Sequence, residues 1–160
     1  MADARIFEDL KADHDRQRVL LKQVGEDKGA GEPRRGAFET LRLELQAHAA
    51  AEEESLYAKM LADPELREDA RHSVSEHKEV DDFLGELLEL EFGSPEWDEK
   101  FEEMRHRYEH HIDEEEEDMF PAASKRLSDA EEEKLGEVFE ERKPKELERA
   151  EAHPPGDERE

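Results

Sequence analysis

Residues 38–57 of this 160-residue chain, FETLRLELQAHAAAEEESLY, indicate its fold class. Its apolar side chains recur every three or four residues, which is the spacing of one face of an α-helix. That face carries, in order, Phe38, Leu41, Leu45, His48, Glu52 and Leu56. A histidine and a glutamate therefore belong to an apolar helical stripe, the part of a helix that is expected to face the protein core.

The chain contains this pattern twice. The stretch 101–120, FEEMRHRYEHHIDEEEEDMF, repeats the first stretch at an offset of 63 residues. The same offset relates three pairs of metal-binding residue types, which are His14 and His77, His48 and His111, and Glu52 and Glu115. The sequence therefore predicts two helical hairpins related by a pseudo-two-fold axis, with matching polar residues directed inward.

Turn signals divide the chain into four long helical segments and one shorter segment. The long segments are predicted over about 4–24, 35–61, 65–91 and 95–126. Ser128 and Glu131 form a capping box that opens a short fifth helix, predicted to end near Arg142. β-Branched residues are sparse and no alternating run indicates a strand. We therefore expect an all-α, antiparallel up-down-up-down four-helix bundle over residues 1–143 and a disordered acidic tail over 144–160.

Composition excludes several classes of protein. The chain has no cysteine, which excludes disulfides, thiolate metal sites and cysteine nucleophiles. Its formal net charge of −25 repels nucleic acid and anionic membrane surfaces, so neither is expected as a partner. The N-terminal residues do not have the pattern of a targeting segment, and no apolar run approaches the roughly 18 residues of a membrane span. These features predict a cytoplasmic protein.

Six inward polar side chains require an explanation. They are His14, His48, Glu52, His77, His111 and Glu115. One core histidine is more often structural than a ligand, but two buried glutamates facing each other need a positive charge between them. A single zinc ion would use about four ligands, whereas two ions bridged by two carboxylates use all six. Imidazole with carboxylate suits iron, manganese or zinc, and we favour two non-haem irons with a bridging oxide or hydroxide.

The order of these residues resembles that of the bacterial hemerythrin-like (HHE cation-binding) proteins. The resemblance covers about 6–126 and is carried by His14, His48-Ala-Ala-Ala-Glu52, His77 and His111-Ile-Asp-Glu-Glu115. It implies that the metals are irons inside an antiparallel four-helix bundle. It further implies that the first two histidines share one iron, that the last two share the other, and that both glutamates bridge the pair.

One position departs from the oxygen-carrying hemerythrins of this family. Those proteins have a fifth histidine four residues before the position of His77, and this chain has Ser73 there. His72 lies one residue away, about 100° around the helix, and is interpreted as a surface residue. Three functions stay open: binding or sensing of oxygen, nitric oxide, peroxide or iron; a catalase-like or other peroxide-consuming enzyme; and an interaction module with structural metal.

The other clusters of acidic residues and histidines are interpreted as surface features. His106 and His110 are out of phase with the core stripe, and His153 falls in the predicted tail. The acidic residues that flank the two motifs are expected on solvated faces and are Glu53, Glu54, Glu114, Glu116, Glu117 and Asp118. A ferritin-type di-iron bundle needs two inward Glu-x-x-His motifs, whereas this chain has one, from Glu103 to His106, so that family is the second choice.

Overall fold

The computed structural model describes residues 5–155, which form helices joined by turns and contain no strand. The elements are α1 (Arg5–Glu26), α2 (Glu32–Glu52), π1 (Glu53–Tyr57), α3 (Ala58–Leu61), α4 (Arg67–Glu89), α5 (Pro95–Glu114), π2 (Glu115–Met119), α6 (Phe120–Ser124) and α7 (Asp129–Ala152). The two elements labelled π are single π-helical turns. The predicted all-α class is therefore confirmed.

The helix boundaries follow the predicted turn signals. Ser94 caps α5 by accepting a hydrogen bond from the backbone N–H of Trp97 at 3.2 Å, and Pro95 occupies the first helical position. Ser128 and Glu131 form the predicted capping box at the start of α7. Helix α2 continues through π1 into α3, and α5 continues through π2 into α6, so each pair of helices corresponds to one predicted long segment.

The apolar core is divided into two clusters, and three of the inward histidines, His14, His48 and His77, lie between them in sequence. On α1, for example, His14 falls between Leu10, which belongs to one cluster, and Leu21, which belongs to the other. Helix α1 contacts α2 and α5, and α4 contacts α5 and α2. The predicted alternation of helix directions remains a prediction. Within residues 5–155, none of the helices combines the length and apolar character that a membrane span requires.

Helix α7 is longer than predicted. It continues through Pro144 to Ala152, so the predicted end near Arg142 is wrong, and so is the prediction of disorder for residues 144–152. Residues 156–160 of the predicted tail lie outside the described residues.

Contacts between helices explain why α7 continues past its proline. An interior proline removes one backbone hydrogen bond and normally ends or kinks a helix. Here α7 packs against α1 and α2, and the guanidinium of Arg42 donates to the carbonyl of Ala150 at 3.3 Å. The amide of Gln46 donates to the carbonyl of His153 at 3.3 Å. Both bonds hold the part of α7 that follows Pro144 against α2.

Candidate metal centre

The six predicted ligands converge in the interior of the protein, and all of them are buried. They form two overlapping groups. In the first, one ligand atom from each of His14, His48, Glu52 and Glu115 lies within 4.8 Å of the others. In the second, atoms of Glu52, His77 and His111 meet the same condition. Glu52 belongs to both groups, as a bridging ligand would.

The atoms that face the centre are chemically unsatisfied. Among the described residues, the Nε2 atoms of His14, His48 and His77, both carboxylate oxygens of Glu52, and Oε1 of Glu115 are buried without a hydrogen-bond partner. Nε2 of His14 lies 3.1 Å from Oε1 of Glu115, and Nε2 of His77 lies 3.3 Å from Oε1 of Glu52. Buried polar atoms are almost always paired in native proteins. Nitrogen and oxygen atoms that converge unpaired in this way fit one or more cations.

A carboxylate lies at the outer nitrogen of all four histidines. The Nδ1···O distances are 2.6 Å for His14 and Glu116, 2.9 Å for His48 and Asp13, 2.8 Å for His77 and Glu53, and 2.7 Å for His111 and Glu76. A histidine that binds a metal through Nε2 commonly donates its other ring N–H to a carboxylate, which fixes the tautomer and the ring orientation. The histidines are thus held with Nε2 toward the centre.

The outer carboxylates obey the same 63-residue offset as the ligands, since Asp13 corresponds to Glu76 and Glu53 to Glu116. The interpretation of Glu53 and Glu116 as residues of solvated faces missed these contacts. Their side chains are 38% and 21% exposed, and each reaches a histidine on a different helix. The helical period could not reveal these contacts because each residue is adjacent in sequence to a ligand and lies off the inward stripe. The repeat offset was the signal that could have found them.

Charge in the centre favours a cation. Burial lowers the pKa of His48, but the carboxylates of Asp13 and Glu52 have the larger influence and raise it to about 10. Burial also lowers the pKa of His77, and there the carboxylates of Glu52 and Glu53 raise it to about 9. Burial by itself would raise the pKa of Glu52, yet His48 and His77 lower it well below its usual value. The buried carboxylates therefore stabilise positive charge on or between the histidines.

Comparison with known proteins gives the family. The family model for the hemerythrin HHE cation-binding domain matches residues 5–123. The chain belongs to this family. The HHE chain is 31% identical over 132 residues to the uncharacterized proteins Rv2633c of Mycobacterium tuberculosis (H37Rv) and Mb2666c of Mycobacterium bovis, a match that covers 82% of this chain and 80% of each relative.

A solved structure supports the same relationship. The HHE chain is similar to the crystal structure of a hemerythrin HHE cation-binding domain-containing protein from Mycobacterium kansasii, described as a homolog of Rv2633c. The TM-score is 0.80 at 30% sequence identity, and the match covers 95% of this chain and 91% of the other. The resemblance inferred from the sequence is therefore confirmed.

Tyr57 makes the two halves of the HHE domain different. Its hydroxyl donates a hydrogen bond to Oε2 of Glu115, and its ring stacks on His77 with centroids 5.3 Å apart. At the equivalent position, Phe120 stacks on His14 at 6.1 Å and has no hydroxyl. Burial and the nearby carboxylates of Glu115 and Glu52 hold the pKa of Tyr57 well above its usual value, so the phenol keeps its proton. The sequence interpretation treated Tyr57 only as a core residue.

Ser73, which stands where oxygen-carrying hemerythrins have a fifth histidine, and the neighbouring His72 have different surroundings. Ser73 is buried, and its hydroxyl lies 3.7 Å from the sulfur of Met119. The His72 side chain is 60% exposed, with Nε2 3.4 Å from a carboxylate oxygen of Glu76. His110 is also exposed and lies on the surface beside Glu114. The interpretation of His72 and His110 as surface residues is confirmed, and His106 and His153 are exposed as well.

Proposed function

We propose that this HHE domain holds two non-haem irons in the centre formed by His14, His48, Glu52, His77, His111 and Glu115. The observation that carries the proposal is the pair of overlapping ligand groups joined through Glu52. His14 and His48 would hold one ion and His77 and His111 the other. Two divalent ions offset the charges of both glutamates and leave none of the converging atoms unpaired, whereas a single ion would leave several of them unsatisfied.

The role of Glu115 as a second bridge is supported less directly than that of Glu52. Glu115 belongs only to the group with His14 and His48, and its second oxygen accepts the hydrogen bond of Tyr57. Tyr57 therefore orients Glu115 and holds a proton beside it. We infer that this hydroxyl, which keeps its proton, helps to fix the carboxylate by donating a hydrogen bond to it.

Within this proposal, the domain binds a small diatomic or peroxide ligand and consumes peroxide. Iron, when bound, supplies redox and Lewis-acid chemistry at its open positions. Ser73 provides no imidazole nitrogen, and His72 is directed to the surface, so an exogenous ligand is not restricted to one ion. In the catalase-like reaction two molecules of hydrogen peroxide give two of water and one of oxygen, which balances without a further reductant.

Metal analysis and peroxide turnover test the proposal together. Protein expressed with ample iron is expected to contain close to two irons per chain and to release oxygen from hydrogen peroxide. His111→Ala should lower both quantities, whereas His110→Ala, a neighbouring exposed histidine, should lower neither. One zinc per chain would contradict the two-iron centre. Two irons with a reversible spectral change under oxygen, and no turnover, would favour binding or sensing, and a redox-silent metal would favour the structural module.

A cytoplasmic location also stays a prediction.

A further inference from the structure

The two faces that flank the metal centre are related by the repeat but are closed differently. On the face between α1 and α5, Ile112 is fully buried. Beside it, the guanidinium of Arg18 lies 3.0 Å from Asp113 and 3.3 Å from Glu116, which ties the two helices together. Side chains therefore fill this face of the domain.

The equivalent face, between α4 and α2, lacks the residues that close the first. By the 63-residue offset, Ala49 is the repeat equivalent of Ile112, and Ala50 is the repeat equivalent of Asp113. Asp81 is the repeat equivalent of Arg18, so this face lacks the ion pairs of an arginine with an aspartate and a glutamate that we call the arginine clamp of the first face. Instead, the face contains a cavity of about 700 Å³, with α7 along one side.

This cavity extends to one of the proposed metal ligands. His77 and its outer partner Glu53 form part of the wall, together with the ring of Tyr108. Leu45, Val80 and Leu84 supply apolar surface from α2 and α4. A molecule in the cavity would therefore contact both apolar side chains and a proposed metal ligand.

The size of the cavity indicates what it can hold. A water molecule occupies about 30 Å³ in the liquid, and a diatomic or peroxide ligand is of similar scale. Cavities that bind organic ligands measure about 300–1,000 Å³ and are mostly apolar, with a few polar groups. The volume of this cavity, about 700 Å³, lies within that range. Two irons and a small ligand would not need a cavity of this size.

The charges around the cavity select among organic ligands. Four carboxylates and two basic side chains line it, namely Glu53, Glu54, Asp81 and Glu146 with Lys78 and Arg149. The excess of carboxylates, in a chain of net charge −25, opposes the approach of an anion. The apolar wall opposes a compact, strongly hydrated cation.

We propose that the α2–α4 cavity binds a neutral organic molecule with an apolar body, and that it places one end of that molecule beside His77. The site lies next to the proposed iron centre but depends only on the protein side chains described above. It would make the domain selective for organic ligands in addition to small oxygen species.

Nile red, a neutral apolar fluorescent dye, is the probe for this site. We expect saturable binding of one dye per full-length, iron-loaded chain, with a blue shift of its emission. Cumyl alcohol, which is neutral, should displace the dye, whereas benzoate, which is anionic, should not. Ala49→Ile copies Ile112 from the closed face and should weaken dye binding about tenfold or more, because the three added carbon atoms occupy part of the cavity beside His77 and clash with the bound dye. Ala58→Ile, at an exposed alanine on α3 outside the cavity, should leave it within about twofold of wild type.

If Ala49→Ile does not fold, a second variant tests the same prediction. The double substitution Ala50→Asp with Asp81→Arg reproduces the Arg18–Asp113 clamp near the surface, and it should close the cavity in the same way. Unchanged dye binding in a folded variant of either kind would overturn the proposal, as would equal loss in Ala58→Ile. Peroxide turnover is scored separately: its absence in wild type would contradict the proposed function and leave the dye result intact.

Discussion

Lys143 of α7 donates a hydrogen bond to Asp13, the carboxylate that holds the outer nitrogen of His48, at an Nζ···Oδ2 distance of 2.7 Å. The same ammonium lies 3.0 Å from Glu44. Asp13, Glu44 and His48 have the spacing of a third group of metal ligands, but Lys143 already supplies a positive charge there. Although burial opposes it, His48 and Lys143 lower the pKa of Asp13 to about 2, so this carboxylate stays ionised. The fifth helix is therefore connected to a proposed iron ligand through one side chain.

Removal of the Lys143 ammonium should destabilise the protein and weaken metal retention. Lys143→Met removes the ammonium and leaves the buried carboxylates of Asp13 and Glu44 with Arg16. We expect this loss to cost about 2 kcal/mol of unfolding free energy. Urea unfolding and iron content measure the two effects. Lys145→Met, at an exposed lysine on the same helix, is the matched control and should change stability by less than about 0.5 kcal/mol. Equal effects of both substitutions would mean that the contact with Asp13 is not responsible.

Glu52 should be the glutamate on which metal content depends most. It belongs to both ligand groups, whereas Glu115 belongs to one. Glu52→Ala is therefore expected to remove most of the iron and to lower the melting temperature of the iron-grown protein, because bound metal stabilises the folded state. Glu115→Ala should lower both by a smaller amount. Iron analysis and thermal unfolding would contradict this order if Glu115→Ala removed more metal than Glu52→Ala.

The outer carboxylates should matter although they do not contact the metal. Glu116→Ala removes the acceptor of the Nδ1–H of His14, and loss of such a partner typically lowers metal affinity about 10- to 100-fold. Competition with a chelator of known affinity measures the change. Glu117→Ala removes an adjacent, exposed carboxylate and is expected to have no effect. If the two variants bind metal equally well, Glu116 is the surface residue that the sequence interpretation made it.

The docking of α7 on α1 should depend on pH through Asp9. Burial and the neighbouring carboxylate of Glu140 raise the pKa of Asp9 from 3.8 to about 7. The pKa of Asp9 is thus higher in the folded protein than in the unfolded chain, where it is near 3.8. The folded state is therefore stabilised fully below pH 3.8, and this stabilisation is lost as the pH rises through 7.

Asp9→Asn tests this dependence because asparagine resembles the protonated carboxyl group. Its melting temperature should equal that of wild type near pH 4 and exceed it increasingly up to pH 8, with metal content held constant. A constant difference for Asp9→Asn would show that Asp9 titrates normally.

The reduced protein should react with oxygen irreversibly. The resemblance to hemerythrins puts Ser73 at the position of the extra histidine of the oxygen carriers, and His72 is exposed. We therefore expect that the proposed centre does not release oxygen unchanged. On mixing the anaerobic, reduced protein with oxygen, we expect rapid conversion to an oxidised spectrum that returns no oxygen under vacuum. A long-lived oxygen adduct that dissociates under vacuum would show that the missing histidine is not decisive.

Spacing along the chain was enough to predict the helices and the inward residues proposed as ligands, because both are properties of a single helical pattern. The three- and four-residue period placed His48 and Glu52 in an apolar stripe, and the 63-residue offset placed His111 and Glu115 in another. A buried polar residue in such a stripe needs a partner whatever the neighbouring helices are. The repeat therefore predicted the ligand set before any contact between helices was known.

The packing of the helices governs which side chains meet across them. Helical periodicity does not specify which face of one helix lies against another, so the contacts of Glu116 with His14 and of Tyr57 with Glu115 could not be read from it. The continuation of α7 past Pro144 has the same origin, because packing against α1 and α2 outweighs the local preference of proline to end a helix. That packing places Lys143 beside Asp13, and only the folded chain brings these two residues together.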